Sequence, residues 1–332
     1  MQAFVYLAAL DKGYTPSTLI LDAPFVGVQG PGLPLWKPKN YTNKFYGPST
    51  LRMGVEQSRN LMICVRLANE IGMDTVIDYA NRLGIMKNMP PHLSMALGAG
   101  ETTLLDLTAA YAMLVNGGKR ITPTLIDRIQ DRHGKTIQKH DTRVCEGCAQ
   151  PWQDDLSAPE LEDNREQVIN PATAYQIVSI LEGVVLRGTG AKVREVGKPL
   201  AGKTGTSNDS FDTWFMGFSP DLAVGVFVGF DTPATLGKTE TGGSVASPIF
   251  RDFMIEALKD APATPFRVPP GIRFVRINHL TGRLARSADK ETILEAYKPG
   301  TEPTGDDDNT IVLDGSYIPG QASPAAAASG IY

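Results

Sequence analysis

A lysine between two glycines marks the most constraining stretch of the sequence, residues 200–207 (LAGKTGTS). Two apolar, strand-like runs follow at 212–218 and 222–230, and a Ser-Pro-Asp turn separates them. This order predicts an antiparallel sheet whose first strand carries Lys203 and several hydroxyl groups. Because glycine lets a ligand approach the backbone and a lysine with threonines can hold an anion, the strand is predicted to bind a carboxylate-bearing ligand along its edge.

Helix signals lie on both sides of these strands. The opening segment is apolar and ends before Gly13, and Asn170 with Pro171 supplies an N-cap and a first-turn proline for a helix to Leu186. A last helix is predicted over 249–258. Helices, then strands, then a closing helix favour an α+β fold, an antiparallel sheet flanked by helices, over a doubly wound sheet.

Changes in composition predict three parts of the chain. Residues 1–261 form the main domain, which contains a polar, exposed loop at about 142–167. Residues 262–319 begin with a proline-rich linker and continue as a small β module, because 272–277 alternates as a strand does. The Ala/Ser/Gly/Pro-rich tail, 320–332, is predicted to be disordered.

Charge and residue types argue against several classes of function. The 332 residues carry a net charge of −4 and no Lys/Arg-rich run, so nucleic acid is not an expected partner. No apolar run approaches the ~20 residues that span a bilayer. The four histidines, at 92, 133, 140 and 279, are scattered, which supports neither a metal site nor a Ser-His-Asp triad. We expect exposed or capping histidines, no metal and no cofactor.

Cys145 and Cys148 form a single C-x-x-C pair in a polar region. One such pair is half of a zinc site, and no second pair completes it. A local disulfide in an oxidising compartment is therefore the favoured interpretation, and an idle, reduced pair is the alternative.

Residues 197–204 (GKPLAGKT) match the phosphate-binding pattern G-x-x-x-x-G-K-[ST]. That loop works because its glycines open a helix whose N-terminus holds phosphate. Here a strand, and no helix of useful length, follows Thr204. Nucleotide binding is therefore an outside alternative.

Alone, Ser58-Arg59-Asn60 is weak evidence for a functional site, because such residues between two helices usually serve as caps. Beside Lys203-Thr204-Gly205 it gains weight, since S-x-x-K, S-D-N and K-T-G together mark β-lactamases and penicillin-binding proteins. The sequence resembles the transpeptidase domain of class A penicillin-binding proteins of the 1A type along nearly its whole length. Matching blocks lie at 4–11, 14–16, 47–52, 96–99, 103–106, 188–190, 203–206, 212–215 and 242–244.

The resemblance implies an acyl transfer. The D-Ala-D-Ala bond of a stem peptide is attacked, D-Ala leaves, and the acyl group passes to a neighbouring stem peptide. Ser58 would pass protons to and from the nucleophile, and Lys203 would set the electrostatics of the site. Arg59 would point away from it.

The same resemblance implies four substrate-binding residues. Asn60 would hold the substrate amide, and Thr204 and Thr206 its terminal carboxylate, with Gly205 between them. The backbone N–H of Thr206 would form part of the oxyanion hole.

One departure from the family pattern concerns the nucleophile. The family's S-x-x-K comes immediately before P-F-x-Y, and here the matching positions read Met1-Gln2-Ala3-Phe4-Val5-Tyr6, so that Gln2 stands where the lysine would be. The matching serine falls before Met1. We therefore expect an N-terminally truncated domain that is inactive alone.

The resemblance also implies partners and a location. Stem peptides and β-lactams would bind, cell-wall synthesis proteins would be further partners, and the parent protein would carry a glycosyltransferase. Only a missing N-terminal anchor would attach it to the periplasmic face of the bacterial inner membrane. The alternative is a catalytically dead penicillin-fold protein that acts as a binding or scaffold protein.

Overall fold

The computed structural model describes residues 1–27, 35–145, 148, 151, 161–305 and 311–312, leaving aside the side chains of residues 63–65 and 311–312. In this part of the chain the α-helices are α1 (Gln2–Asp11), α2 (Leu51–Glu56), α3 (Ala68–Ile71), α4 (Met73–Arg82), α5 (Leu93–Ala96), α6 (Leu104–Val115), α7 (Pro171–Leu186) and α8 (Ser247–Ala257). The strands are β1 (Leu19–Asp22), β2 (Gly47–Thr50), β3 (Arg128–Gln130), β4 (Thr136–Lys139), β5 (Ala201–Thr206), β6 (Asp212–Phe218), β7 (Ala223–Gly229), β8 (Arg273–Asn278), β9 (Thr292–Tyr297) and β10 (Ile311–Val312). Short π and 3₁₀ helices lie at Leu61–Leu67, Ala191–Val196, Asn208–Ser210 and Gly242–Ala246.

Helix α1 lies at the centre of the core. Its residues from Ala3 to Leu10 are all buried, as expected of a helix that is apolar all round. It packs against α7, α4 and the π helix Leu61–Leu67. Gly13, with φ 96°, lets the chain turn away at the end of the helix, as predicted.

The predicted antiparallel sheet is present as β5-β6-β7, with β5 at one edge. Alternate side chains of β6 face opposite helical layers, as the period of a strand requires. Phe215 packs on Phe250 of α8, while Met216 and Phe218 join the core around α1, α6 and α7. This sheet between helices confirms the α+β prediction.

Local signals explain where the principal helices begin. The Asn170 side chain accepts hydrogen bonds from the backbone of Ala172 and Thr173, and Pro171 occupies the first turn of α7. Thr103 caps α6 in the same way by accepting from the Asp106 N–H.

The hairpin β8–β9 occupies the region predicted as a small β module. It packs on the main part of the chain: Gln176 of α7 donates to the Ala296 carbonyl over 3.0 Å, and the Tyr175 and Phe274 rings meet edge to face. The division of the chain into 1–261 and 262–319 stays a prediction.

The predicted tail, 320–332, and much of the predicted loop at 142–167 lie outside the described residues. In the part of the chain with described structure, no helix is both long and apolar enough to cross a membrane.

Candidate functional site

The end of helix α2 presents Ser58 to the edge of the sheet. The helix stops at Glu56, and Ser58 takes a left-handed conformation with φ 52°. This conformation is unfavourable for residues other than glycine and is retained only where surrounding structure fixes it. The tight turn between α2 and the π helix Leu61–Leu67 is therefore a specific feature of the fold.

Lys203 lies on β5, opposite Met216 of β6, and its side chain reaches the Ser58 turn. Its Nζ donates to Ser58 Oγ over 2.7 Å and to the Thr204 carbonyl over 3.0 Å. The lysine is 4% exposed, whereas Ser58 is half-buried. The two residues predicted to be catalytic are thus in direct contact, and Ser58 is the more exposed of the two.

Gln2 extends this contact into a chain of hydrogen bonds. Ser58 Oγ donates to Gln2 Oε1 over 3.0 Å, and Gln2 Nε2 donates to Asn60 Oδ1 over 3.1 Å. The amide of Asn60 donates in turn to the Lys39 carbonyl over 3.1 Å. Gln2 is thus a neutral member of the hydrogen-bond chain. Its primary amide cannot serve as a base near neutral pH.

The hydroxyls of β5 continue the site along the strand. Thr204 Oγ1 and Thr189 Oγ1 lie 2.7 Å apart, and Thr206 Oγ1 accepts from the Gly242 N–H over 3.0 Å. Close backbone packing explains the glycines here, since a Cβ at Gly242 would lie 2.5 Å from the Gly205 carbonyl. Three of the four predicted substrate-binding residues, Thr204, Gly205 and Thr206, therefore lie along β5 and form one wall of the site. Asn60 is linked to this wall through Gln2, Ser58 and Lys203.

Arg59 points away from this wall, as predicted. Its guanidinium donates to Ser49 Oγ over 2.8 Å, lies 4.0 Å from the Asp22 carboxylate and stacks 3.9 Å from the centre of the Tyr46 ring. These contacts anchor the turn from its far side. The Asn40 amide, which donates to the Asp22 carboxylate, adds to the same anchor.

A buried charged cluster lies behind the Ser58 turn. The Glu56 carboxylate is fully buried and accepts from Arg52, Arg187 and His279. Burial alone would raise the pKa of this carboxyl, but hydrogen bonds from His279 and Arg187, with the charge of Arg52, lower it to about 2. The expectation of an exposed or capping histidine is wrong for His279, which is 6% exposed because it serves this carboxylate.

The structure also tests the phosphate-loop match, the cysteine pair and the possibility of a metal site. The sequence that matches a phosphate-binding loop continues into the strand β5 and opens no helix, so it lacks the helix N-terminus that phosphate binding needs. Cys145 and Cys148 are joined by a disulfide with their Cα atoms 5.5 Å apart. Across the described ranges, no three His, Cys, Asp or Glu side chains come together as metal ligands.

No role within the site was predicted for Glu56 or Thr189. The resemblance places Gln2 at the family's lysine position, but the bridge that Gln2 forms between Ser58 and Asn60 was not predicted. Thr189 belongs to a block that matches the family and lies between α7 and β5. Its position was the available indication that it could contribute to the site. A buried acid two residues before Ser58 gave no signal, because its partners lie far along the chain.

The chain is similar to curated proteins named penicillin-binding protein 1A. It is 46% identical over 314 residues to that of Rickettsia bellii, covering 94% of this chain and 39% of the relative. It is 37% identical over 331 residues to that of Pseudomonas aeruginosa, covering 90% of this chain and 40% of the relative. The chain thus spans about two fifths of these relatives.

The structure is also similar to the crystal structure of penicillin-binding protein 1A from Haemophilus influenzae. The TM-score is 0.78 at 30% identity, covering 92% of this chain and 48% of that one.

An edge strand that carries K-T-G opposite an S-x-N turn is the arrangement of the serine acyl-transfer proteins that recognise penicillin. The profile of the penicillin binding protein transpeptidase domain matches residues 1–255. The chain belongs to this family.

Proposed function

We propose that this chain is the D,D-transpeptidase domain of a bifunctional cell-wall synthase, with D-Ala-D-Ala stem peptides as substrates and β-lactams as inhibitors. The observation that carries the proposal is the 2.7 Å hydrogen bond between Lys203 Nζ and Ser58 Oγ, because it joins the K-T-G and S-x-N motifs in one site. Family membership supports the reaction class.

Substrate binding in this proposal follows the strand β5. An extended peptide that lies along the edge of the sheet can use main-chain hydrogen bonds for affinity. Its terminal carboxylate is held by the hydroxyls of Thr204 and Thr206 in the field of Lys203, and its amide by Asn60. Charge-assisted hydrogen bonds of this kind are stronger than neutral ones, so the carboxylate contributes most of the selectivity.

In the proposed reaction of the family, a serine oxygen attacks the carbonyl carbon of the penultimate D-Ala and gives up its proton. Ser58 and Lys203 pass a proton to the nitrogen of the terminal D-Ala, which leaves as the peptide bond breaks. The amine of a second stem peptide then attacks the resulting ester, and a proton from that amine returns to the serine oxygen. Gln2, at the family's lysine position, cannot take the proton of a nucleophile. We therefore expect this chain to bind such peptides without turning them over.

The proposal extends to the longer protein that the relatives represent. A glycosyltransferase activity, a membrane anchor, a place at the periplasmic face of the inner membrane and contacts with cell-wall synthesis proteins would belong to that protein.

Equilibrium binding tests the proposal directly. An acylated D-Ala-D-Ala peptide is titrated into the chain beside its C-terminal amide and its L-Ala-L-Ala counterpart. We expect the free D,D acid to bind at least about tenfold more tightly than either control, because both disturb a charge-assisted contact. Equal affinity for the three peptides would contradict the proposal.

Gln2 also favours a second candidate, a binding or scaffold protein of the same fold. Its amide bridges Ser58 and Asn60, so the site keeps a complete hydrogen-bond chain without a second cation at this position. Intact mass after incubation with a penicillin separates the two candidates when this chain is compared with a version that carries the family's S-x-x-K segment before Ala3. A penicilloyl adduct on that version alone favours the transpeptidase domain, and no adduct on either protein favours the binding protein. An adduct on this chain itself would contradict the role given to Gln2.

A further inference from the structure

Glu56 closes helix α2 two residues before Ser58, and three cationic or proton-donating side chains surround its carboxylate. Arg52, one turn earlier, donates over 3.2 Å, Arg187 over 2.6 Å, and His279 Nε2 lies at 2.9 Å. Because an ionised carboxylate only accepts, His279 donates from Nε2. An acid this deeply buried is stable as an anion only with such partners.

The backbone of the same residue contacts the opposite wall of the site. The Glu56 carbonyl accepts from the Thr189 N–H over 3.1 Å, and the Thr189 hydroxyl lies 2.7 Å from that of Thr204 on β5. Glu56 is therefore linked to Ser58 through the chain and to the carboxylate-binding strand through Thr189.

Two glycines make room for this arrangement. A Cβ at Gly183 of α7 would lie 1.9 Å from Glu56 Oε1, and one at Gly188 would lie 2.2 Å from the Glu56 carbonyl. Any larger residue at either position would push Glu56 away from its partners. The close approach of α2 to the end of α7 thus depends on these two glycines, which leave the space that Glu56 occupies.

The cluster also reaches the hairpin β8–β9. His279 directly follows β8, and Arg52 forms a bidentate ion pair with Glu295 of β9, whose Oε1 accepts from Nη2 over 2.6 Å. Arg52 further donates to the Ser179 carbonyl of α7 over 3.0 Å. Both strands of the hairpin are thereby tied to the helix that presents Ser58.

We propose that Glu56 is a positioning residue that sets the distance between the Ser58 turn and the Thr189–Thr204 pair. Through Glu56 the hairpin β8–β9 becomes part of the framework of the site. The carboxylate fixes α2 against Arg187 and His279, and the carbonyl of the same residue fixes the turn that carries Thr189. Displacing one end of Glu56 therefore moves the other.

Hydrogen–deuterium exchange on the full chain without ligand tests this framework. The variants are Glu56→Gln, His279→Ala and His279→Gln, in which the glutamine amide can still donate to Glu56. Glu166→Gln is the control, because it removes one carboxylate of an exposed ion pair with Arg120. Protection of helix α4 in each variant shows that the fold is retained.

We expect Glu56→Gln and His279→Ala to speed exchange about tenfold or more at residues 57–60 and 187–190. Glu56→Gln removes the buried anion that Arg52 and Arg187 share, and His279→Ala removes one of the three donors to that anion. His279→Gln should restore most of the protection, and Glu166→Gln should leave both segments unchanged. Unaltered protection of both segments in a folded Glu56→Gln or His279→Ala variant would overturn the proposal. If Glu56→Gln does not fold, the comparison of His279→Ala with His279→Gln decides whether Glu56 positions the two segments.

Peptide binding provides a readout that general loss of stability does not move. This experiment rests on the proposed function. In His279→Ala, displacement of Thr204 should lower the preference for a D-Ala-D-Ala acid over its amide about tenfold. In His279→Gln the preference should recover. If the wild-type chain binds neither peptide, the proposed function fails, and the exchange result still decides the role of Glu56. An unchanged preference with faster exchange would limit Glu56 to a structural role and overturn the positioning claim.

Discussion

Lys203 Nζ donates to Ser58 Oγ over 2.7 Å and so joins two segments that lie 145 positions apart in the chain. The lysine is almost completely buried, and the serine stands on a left-handed turn. Neither the strand nor the turn alone would form a site. Their contact produces a cation, a hydroxyl and a run of threonine hydroxyls on one surface.

Replacing Lys203 by methionine should abolish most carboxylate binding while keeping an unbranched, buried side chain of nearly the same length. The loss of a charged hydrogen-bond donor is expected to weaken the affinity for a D-Ala-D-Ala peptide by about tenfold to a hundredfold. Calorimetric titration measures this, with the exposed Lys192→Met as the control. Wild-type affinity in Lys203→Met would contradict the role given to the lysine.

Thr206→Val should weaken binding of the same peptide by about tenfold, because the hydroxyl is lost and the Gly242 N–H loses its acceptor. Thr206→Ser keeps the hydroxyl and should bind nearly as the wild type does. If valine and serine behave alike in a competition assay, the hydroxyl takes no part in binding.

Gly202→Ala should destabilise the sheet. A Cβ there would lie 2.7 Å from the Met216 carbonyl and 2.8 Å from the Phe215 ring, and backbone atoms cannot yield as a flexible side chain can. Overpacking of this kind costs about 1–3 kcal/mol of the free energy of unfolding. Urea denaturation measures it, and Gly305→Ala, where no atom lies within 4 Å of the added Cβ, is the control. Equal midpoints for the two variants would contradict the packing of β5 on β6.

Acid should weaken the fold through Glu56. The pKa of its carboxyl falls from 4.5 to about 2 on folding, so its contribution to stability is complete above pH 4.5 and is lost as the pH falls towards 2. Glu182 nearby opposes this in part, because burial raises the pKa of its carboxyl. Urea denaturation over this pH range should give a shallower pH dependence for Glu56→Gln than for the wild type. Parallel curves would show that the carboxylate is not held as an anion.

The helices and strands that could be predicted from the sequence are those that short, local patterns determine. The apolar composition of α1, the Asn170–Pro171 start of α7 and the alternation of β6 act over a few residues, so each pattern indicates its element. The meeting of Ser58 with Lys203 was expected only because the two motifs resemble those of a known family. No hydrophobic periodicity in the sequence indicates that Ser58 and Lys203 lie close together in space.

The charged cluster could not be predicted because its contacts are distant in sequence. His279 and Glu56 are separated by 223 positions, and a histidine after a predicted strand carries no sign of a buried carboxylate partner. Arg52 pairs with Glu295 across 243 positions. Such pairs follow from how the hairpin β8–β9 packs on α2, and this packing is determined by the whole core.

Amide NMR during titration with an acylated D-Ala-D-Ala peptide tests the central claim most directly, because it locates the bound carboxylate. We predict that the largest shifts fall on Asn60, Thr206 and Gly242, and that the C-terminal amide of the peptide loses those at Thr206 and Gly242. Shifts that instead centre on another surface, such as the pocket that Asp11, Tyr79 and Arg82 line between α1 and α4, would contradict the assignment of the site.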